Sequence, residues 1–454
     1  MRWLINCLYF IGLLIGLPFF LFKMATAGKY RRGLMQRFGI SLPTLADGKP
    51  VIWVHAVSVG ELQLSRPLIA GLRERYPDHQ IVVTHTTRTG EQVAEQLYPD
   101  LVRCYFPLDF SFAVARFFRA FRPELVVLVE LELWPNFLLH AKRSDIPVVL
   151  VNGRIGERSA SGYGRNAWFF RRPFSALSLA AMQNEEYAAR LRRLFERMGL
   201  STEVINVAGN IKFDNVRIGV DQALRSQYRG LFGFGEDELV LVCGSTHPGE
   251  HEILVDLYRR WREAGLPLRM VVAPRHPERY GSVREIWKRA GVGLIDRSCL
   301  TLPSSDSALR TPHSAPCILL DTMGELGKVY HCADIVFVGG SLIPHGGQNM
   351  AEPAGIGVPV LFGPHTFNFP SVVRELIAAD ACVQVKDSEE LFANVRELAA
   401  DPQRRARLSE NAQRVVEAGK GAVERHLALI ESEVQSPKSE VRSPESGVKE
   451  GLNP

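Results

Sequence analysis

The stretch Val51-Ile-Trp-Val-His55-Ala-Val-Ser58-Val-Gly60-Glu61 decides how the rest of the chain is interpreted. Its first five residues are typical of a buried strand, and the apolar residues after Glu61 recur at helical spacing. A strand, a short loop and a helix form the repeating unit of an open α/β sheet, which binds ligands beyond the carboxyl ends of its strands. This pattern therefore places Glu61 at an edge where a ligand binds.

Glu61 lies in or beside the first turn of the predicted helix, where the helix dipole favours an ionised carboxylate. An ionised carboxylate in a cleft can accept a proton from a hydroxyl group. The alternative is an ordinary first-turn acid, and position alone leaves both interpretations open.

Length and composition limit the class of protein. The 454 residues fit two domains of about 200 residues each. A net charge of +5, without a basic patch interleaved with aromatic residues, does not indicate nucleic acid binding. The seven cysteines contain no CxxC pair, so neither a zinc site nor a disulfide framework is suggested, and a reducing compartment is indicated.

The amino-terminal segment predicts attachment to a membrane. Residues Trp3 to Phe22 are almost wholly apolar and long enough to span a bilayer. Basic residues from Lys23 to Arg37 follow, which places the body of the protein on the cytoplasmic side. We expect an uncleaved anchor over residues 1–27; a cleaved signal peptide and a helix lying in the membrane surface are the alternatives.

After the anchor, strands and helices alternate in two series, which predicts two domains with parallel sheets. We expect one α/β domain over 28–215, a second over 216–433 and a disordered tail over 434–454. In the first series polar residues follow several strands at the same sheet edge. Glu130 and Glu132 follow the fourth strand, Arg154 follows the fifth, and Lys212 follows the last.

The second series also carries polar residues where its strands end. Arg275 suits a phosphate or carboxylate through its forked donors, and Gly324 allows backbone amides to approach an anion. The run from Gly339 to Glu352 has two glycine pairs before a helix start, which we interpret as close approach of a ligand. In that run Asn349 and Glu352 would face the ligand, although their spacing also fits a capping box.

Several motifs together closely resemble the Kdo transferases, which transfer 3-deoxy-D-manno-octulosonic acid during lipopolysaccharide synthesis in Gram-negative bacteria. The motifs occur in order along the chain to about residue 430. They are His55-Ala-Val-Ser-Val-Gly-Glu61, Glu130-Leu-Glu-Leu-Trp-Pro-Asn136, Lys212-Phe-Asp214, Pro274-Arg-His-Pro-Glu-Arg279, Met323-Gly-Glu325, Phe337-Val-Gly-Gly-Ser341 and Gly363-Pro-His-Thr-Phe-Asn-Phe369.

The resemblance implies a GT-B glycosyltransferase in which two Rossmann-like domains face each other across a cleft, preceded by the membrane-anchor helix. The domain over 28–215 would bind the acceptor, and the domain over 216–433 would bind the CMP-Kdo donor. The resemblance also implies an inverting transfer of Kdo from CMP-Kdo to the lipid A precursor at the inner membrane, with the domains on the cytoplasmic side. Glu61 would be the general base, and Glu130 and Lys212 would stabilise the transition state. The residues implied to hold the CMP group are Pro274, Arg275, Met323, Gly324, Glu325, Asn349, Met350, Ala351 and Glu352. Gln348 departs from the family, which often has histidine there.

No metal or other cofactor is expected, because CMP-Kdo carries a single phosphate and no Asp-x-Asp motif occurs in the chain. Two alternatives remain. One is another membrane-associated GT-B enzyme that uses a UDP-sugar, and the other is a non-catalytic scaffold that binds a sugar nucleotide.

Overall fold

The computed structural model describes residues 3, 5–7, 9–12, 14–16, 33–214, 216–301 and 317–435. The chain divides into two compact units, the first comprising Met1–Ile211 with Gly421–Pro454 and the second Lys212–Lys420. Each unit is built on one seven-stranded sheet in which every strand pairs in parallel with its neighbours. The prediction of two α/β units with parallel sheets is confirmed.

The sheet of the first unit has the strand order β3-β2-β1-β4-β5-β6-β7. Its strands are β1 Val51–His55, β2 Gln80–His85, β3 Val102–Tyr105, β4 Pro123–Val129, β5 Val148–Gly153, β6 Leu177–Met182 and β7 Ile205–Val207. Its helices are α1 Leu34–Arg37, α2 Val59–Leu64, α3 Arg66–Arg75, α4 Arg88–Leu97, α5 Ser111–Phe121, α6 Pro135–Arg143, α7 Glu157–Arg165, α8 Ala167–Phe174 and α9 Glu185–Met198.

Both faces of this sheet are covered, which explains why its strands are continuous apolar runs. All five residues of β1 are buried. The Trp53 ring packs against Phe117, Phe121 and Phe137, with ring centroids 5.8, 5.2 and 5.0 Å away. This aromatic cluster fixes α5 and α6 on one face and thereby sets where the loop after β4 emerges.

The sheet of the second unit has the strand order β10-β11-β9-β8-β12-β13-β14. Its strands are β8 Leu239–Thr246, β9 Leu268–Pro274, β10 Leu294–Asp296, β11 Cys317–Leu319, β12 Ile335–Val338, β13 Val360–Phe362 and β14 Val383–Gln384. Its helices are α10 Gln222–Phe232, α11 Glu250–Glu263, α12 Tyr280–Arg289, α13 Leu326–Val329, α14 Ala351–Ile356, α15 Pro370–Ala378, α16 Ser388–Ala400 and α17 Pro402–Gly419.

The last helix, α18 (Ala422–Gln435), belongs to the first unit by its contacts. Leu427 and Ile430 are buried in the core of that unit, and Leu427 packs beside Gly71 of α3. The sequence placed residues up to 433 in the second domain. The difference arises because the apolar stripe of α18 completes the first sheet, and periodicity does not say which sheet an amphipathic helix covers.

The predicted anchor and the predicted tail lie largely outside the described residues. In the segment before Gly33, the residues described are helical. Across the described ranges, no helix is both long and apolar enough to cross a bilayer. The tail was expected from residue 434; α18 runs to Gln435, and residues 436–454 are outside the description.

Candidate functional site

The first sheet has its topological switch point between β1 and β4. These two strands are adjacent and parallel, with His55 opposite Leu128, and the strand order runs in opposite directions on either side of them. Ligands of open α/β sheets bind beyond the strand ends at such a point. Glu61 lies in the first turn of α2, which follows β1, and Glu130 directly follows β4, so the fold brings together two residues that are far apart in sequence.

Glu61 is held by the loop that precedes its helix. The Val57 amide donates to Glu61 Oε2 at 2.7 Å, and the Ser58 hydroxyl donates to Oε1 at 3.0 Å. Ser58 is the N-cap of α2, and its side chain accepts a hydrogen bond from the Glu61 amide. The arrangement is a variant of the capping box in which the carboxylate accepts from the Val57 amide, one residue before the N-cap. Each carboxylate oxygen can accept more than one hydrogen bond. The Glu61 carboxylate can therefore accept a further hydrogen bond in addition to those from Val57 and Ser58.

The electrostatic surroundings of Glu61 favour its protonated form. Burial raises the pKa of Glu61, and the charge of Glu130 raises it further. The hydrogen bonds from Val57 and Ser58 and the charge of Arg154 oppose this rise. A carboxylate with a raised pKa accepts a proton more readily than one with its ordinary pKa.

Glu130 occupies an unusual backbone conformation at the end of β4. Its φ is 62°, in the left-handed region that non-glycine residues rarely adopt. Its amide donates to Val151 O at 2.9 Å, and Arg154 Nε lies 2.6 Å from its Oε2. These contacts fix a nearly buried carboxylate at the switch point. Such strain concentrates at functional sites.

Glu132 is a third carboxylate of this cluster and was not among the predicted site residues. The indole of Trp134 donates to Glu132 Oε2 at 3.0 Å. Burial raises the pKa of Glu132 to about 7, with further contributions from the charges of Glu61 and Glu130. The alternation Glu130-Leu-Glu132 carried this signal, because residues two apart share a side of an extended chain. Arg154, also absent from the predicted set, supplies the compensating positive charge.

The second sheet has its switch point between β8 and β12, and a buried carboxylate fills it. Glu250, at the start of α11, is fully buried. Its Oε2 accepts hydrogen bonds from the amides of His247 and Gly340, at 3.0 and 2.7 Å, and its Oε1 accepts from Ser341 and Leu342, both at 3.1 Å. Burial raises the pKa of Glu250, whereas these four amides lower it.

This carboxylate changes the interpretation of the glycine-rich run. We expected the glycine pair Gly339–Gly340 to allow close approach of a ligand. Instead, a Cβ atom on Gly339 would lie 2.5 Å from the Cα of Thr246, and Gly340, at φ 68°, donates its amide to Glu250. Packing of β12 against the end of β8 and an internal anion therefore account for this pair.

The imidazoles of His276 and His345 cluster around His247, whose backbone amide binds the buried carboxylate. The His247 ring centroid lies 3.8 Å from that of His345 and 5.6 Å from that of His276. Gln348 Nε2 lies 3.1 Å from His247 Nε2. Burial, together with the charges of the neighbouring imidazoles and Arg275, lowers the pKa of His247 to about 4. This edge of the second sheet thus carries positive or neutral nitrogen groups.

The predicted donor residues Pro274 and Arg275 lie at this edge. Pro274 ends β9 and is buried, while the amide of Arg275 donates to Thr246 O at 3.0 Å. The Arg275 side chain is exposed. The guanidinium is therefore presented to solvent by a backbone that is fixed to the neighbouring strand.

The approach to α13 is the loop that directly precedes this helix, and it consists of Met323, Gly324 and Glu325. The Met323 side chain is exposed, and Gly324 has φ 79°. Glu325 is fixed by its neighbours: its Oε1 accepts from Arg297 at 2.9 Å and from Tyr228 at 3.3 Å, and its Oε2 accepts from the hydroxyl of Thr322.

Residues Asn349 to Glu352 differ in what they offer a ligand. Asn349 is exposed, and its side chain accepts from the Ala351 amide at 3.1 Å. Met350 and Ala351 are fully buried in the hydrophobic core, so their side chains face away from a ligand and only their backbone could contact one. Burial raises the pKa of Glu352, whose carboxylate lies against Gly327.

Lys212 begins the second unit, with its ammonium 5.3 Å from the centroid of the Phe369 ring. Its role at the transition state stays a prediction. Across the described ranges, no group of three or more histidine, cysteine, aspartate or glutamate residues could hold a metal ion.

Comparison with known proteins places these sites in context. Residues 32–215 match a family described as 3-Deoxy-D-manno-octulosonic-acid transferase (kdotransferase). The 3-deoxy-D-manno-octulosonic acid transferase of Haemophilus influenzae is 34% identical over 79% of this chain and 81% of its own length. That of Chlamydophila psittaci is 32% identical over 83% of this chain and 84% of its own.

A solved glycosyltransferase from Rickettsia africae is 10% identical, with a TM-score of 0.53, over 86% of this chain and 99% of that chain. At this identity the likeness extends to the fold alone.

Proposed function

The chain belongs to the family of 3-deoxy-D-manno-octulosonic acid (Kdo) transferases, and from this premise we propose that Glu61 is the general base of an inverting Kdo transfer. The donor is CMP-Kdo and the acceptor is a hydroxyl of the lipid A precursor. The observation that carries the proposal is a half-buried carboxylate, fixed at the switch point of the first sheet beside a second acidic group.

The transfer forms one bond and breaks one bond at the anomeric carbon of Kdo. The acceptor oxygen attacks that carbon, and the bond to the phosphate oxygen breaks, so that CMP leaves with the electron pair. The acceptor proton passes to the Glu61 carboxylate. The anomeric centre gains positive character on the way, which the carboxylate of Glu130 stabilises.

Glu61 suits this role because its two hydrogen bonds orient it and its surroundings raise its pKa. The backbone strain at Glu130 and its ion pair with Arg154 keep the second carboxylate in place before substrate binds. Groups fixed in advance lower the barrier because they need no reorganisation during the reaction.

The CMP group of the donor is assigned to the second unit. Arg275 and the nearby imidazoles meet the phosphate charge, while the approach to α13 and the carboxylate of Glu352 hold the nucleoside. The edge of the second sheet supports this assignment because it exposes the guanidinium of Arg275 and the imidazoles of His276 and His345, which can meet a phosphate.

The protein is proposed to act at the inner membrane, with its catalytic units on the cytoplasmic side. The apolar residues of its first segment and the basic residues that follow support this location. An acylated acceptor would be held in the same membrane.

The test is the variant Glu61→Gln, since glutamine preserves the capping box but cannot accept the proton. We expect kcat to fall by about 10²–10⁴-fold, while CMP binding measured by calorimetry stays unchanged. The matched control is Glu157→Gln, another first-turn glutamate after a strand of the same sheet, whose side chain is 89% exposed.

Near-normal turnover of Glu61→Gln would remove Glu61 from the mechanism. Competition by CMP but not UDP for the donor site separates the proposal from a UDP-sugar enzyme. Mass spectrometry of the product made from CMP-Kdo and a lipid A precursor identifies the reaction directly.

A further inference from the structure

The first helical residues of the chain are bound to the first unit through polar side chains. The Tyr9 hydroxyl donates to Asp109 Oδ2 at 2.9 Å. The Asn6 side chain donates to Ser111 Oγ at 2.7 Å, and its Oδ1 accepts from the Ser111 amide and from the Asn136 side chain, both at 3.1 Å. These contacts join the start of the chain to the amino-terminal ends of α5 and α6.

Asp109 is the centre of this attachment. It is nearly buried, and beyond the Tyr9 hydroxyl it accepts the amides of Asn136 and Phe137 at 2.9 and 2.8 Å. Burial raises the pKa of Asp109 to about 7, and these hydrogen bonds oppose the rise. Ile5, on the same helical face as Tyr9, is 1% exposed. Polar and apolar contacts therefore both hold this face on the folded unit.

The opposite face of the segment is apolar and open to solvent. Helical spacing of 100° per residue places these side chains on a broad arc away from Ile5 and Tyr9. Their exposed fractions are Trp3 84%, Phe10 55%, Ile11 53%, Leu14 53% and Ile15 78%. An exposed apolar face of this kind indicates an interaction surface.

The apolar face continues onto the folded unit. A chain of rings connects Tyr9 to Phe110 at 5.9 Å, Phe110 to Phe38 at 6.5 Å and Phe38 to Phe112 at 6.2 Å. Phe112 is exposed, as are Met35 and Ile40 nearby in the sequence.

Arginines border these rings on α5. Phe112, Arg116 and Arg119 lie at positions i, i+4 and i+7 of the helix, and both arginines are exposed. The Arg116 guanidinium lies 5.7 Å from the centroid of the Phe112 ring. Aromatic and aliphatic side chains next to arginines match the boundary between acyl chains and anionic headgroups.

We propose that this segment lies in the plane of an anionic bilayer, with Trp3, Phe10, Leu14 and Ile15 inserted among the acyl chains and Phe112 beside them. A perpendicular helix would carry Asn6 and Tyr9 into hydrocarbon, whereas both are bonded to the folded unit. The bilayer surface is thereby joined directly to α5 and α6. The inference rests on the proposed membrane location, not on the chemistry at Glu61.

Insertion depth tests the proposal. In the full-length protein, the three cysteines that are not buried, Cys7, Cys299 and Cys382, are replaced by serine. A nitroxide is then attached to a cysteine at position 3, 10 or 15, and its depth is measured by oxygen and nickel accessibility. The vesicles contain phosphatidylethanolamine and phosphatidylglycerol; pure phosphatidylcholine vesicles form the comparison.

We expect the three positions to report the same shallow depth, with weaker binding to phosphatidylcholine. A transverse helix would separate positions 3 and 15 by about 18 Å along the membrane normal, and that gradient would overturn the proposal. Two further results would also overturn the proposal. One is a label that is already immobilised in a stable dimer without vesicles, and the other is a protein that does not bind the vesicles.

The docking contacts have their own variant. Asn6→Ala combined with Tyr9→Phe is expected to increase the mobility of the label at position 10, because the helix loses its hydrogen bonds to Asp109 and Ser111. Unchanged mobility would contradict the docking. Kdo transfer to the acceptor in detergent is measured in parallel with the protein that retains Asn6 and Tyr9. If no transfer is detected but the label depths are as expected, the proposed Kdo transfer is contradicted and the in-plane helix is still supported.

Discussion

The two sheets have the same kind of switch point and use it in opposite ways. In the first unit, Glu61, Glu130 and Glu132 approach one another, and Arg154 compensates only part of their charge. In the second unit the carboxylate of Glu250 is buried beneath four backbone amides, and imidazoles and Arg275 lie outside it.

The difference shows that the fold determines where a site forms, at the switch point of the sheet, whereas the side chains at that point determine the charge of the site. Crowded carboxylates favour proton uptake and developing positive charge. A carboxylate that is fully satisfied by amides performs no such chemistry, and it stabilises a loop from which nitrogen groups can meet an anion. One architecture thus yields an acid-rich edge and a base-rich edge.

The largest effect is expected from removing the buried carboxylate. Glu250→Ala leaves the four amides without their acceptor, and at about 1 kcal/mol each this lowers the free energy of unfolding by on the order of 4 kcal/mol. Hydrogen exchange should accelerate at the amides of Gly340, Ser341 and Leu342. In contrast, Glu61→Ala should cost about 1 kcal/mol, the usual value of a helix cap. Equal losses at the two positions would erase the distinction between a structural and a catalytic carboxylate.

An intermediate effect is expected at the base-rich edge. Arg275→Gln removes the positive charge that we propose to face the leaving phosphate, so kcat/KM for CMP-Kdo should fall by about 10²-fold. The control Arg279→Gln changes another exposed arginine of the same loop and should leave kcat/KM near its original value. If both variants behave alike, the effect belongs to general surface charge, and Arg275 has no specific role.

The smallest expected effect is a pH dependence of stability, which tests the interaction of the carboxylates at the acid-rich edge. The pKa of Glu132 rises from 4.5 to about 7 on folding, so the folded state binds this proton more tightly than the unfolded state. Its contribution to stability is present at pH values below its unfolded pKa and is lost as the pH rises through the folded pKa.

Glu132→Gln should therefore be stabilised relative to the original protein as the pH rises from about 5 to about 8, measured as the difference in melting temperature. In the Glu61→Gln background this pH dependence should weaken, because the charge of Glu61 is one cause of the raised pKa. The exposed Glu157→Gln serves as the control. A difference that does not vary with pH would show that Glu132 titrates normally.

Sequence periodicity predicted most of the fold. The two series of strands and helices form two parallel sheets as expected, and the first five residues of the opening stretch form β1. The strands β10, β13 and β14 are only two or three residues long, and so short a run does not establish a period. The assignment of α18 to the first unit was also not predictable, since it depends on which of the two sheets has an apolar surface that no other helix buries.

The candidate site was predicted in part. The alternation of strands and helices predicted that Glu61 and Glu130 lie at the same edge of a parallel sheet, whereas the sheet order that makes their strands neighbours is known only from the structure. The role of Glu250 could not be read from the sequence, because three of the four amides that bind its carboxylate lie about ninety residues further along the chain. Met350 and Ala351 adjoin the exposed Asn349, yet helix geometry turns their side chains inward.

The return of the last helix has a consequence for biosynthesis. A ribosome delivers residues 1–211 first, but the apolar surface that Leu427 and Ile430 cover stays open until α18 has been made. The entire second unit is translated in between. Domains generally fold in the order in which they emerge, whereas here the earlier unit finishes last. A nascent chain therefore carries an uncovered apolar groove through roughly half of its synthesis.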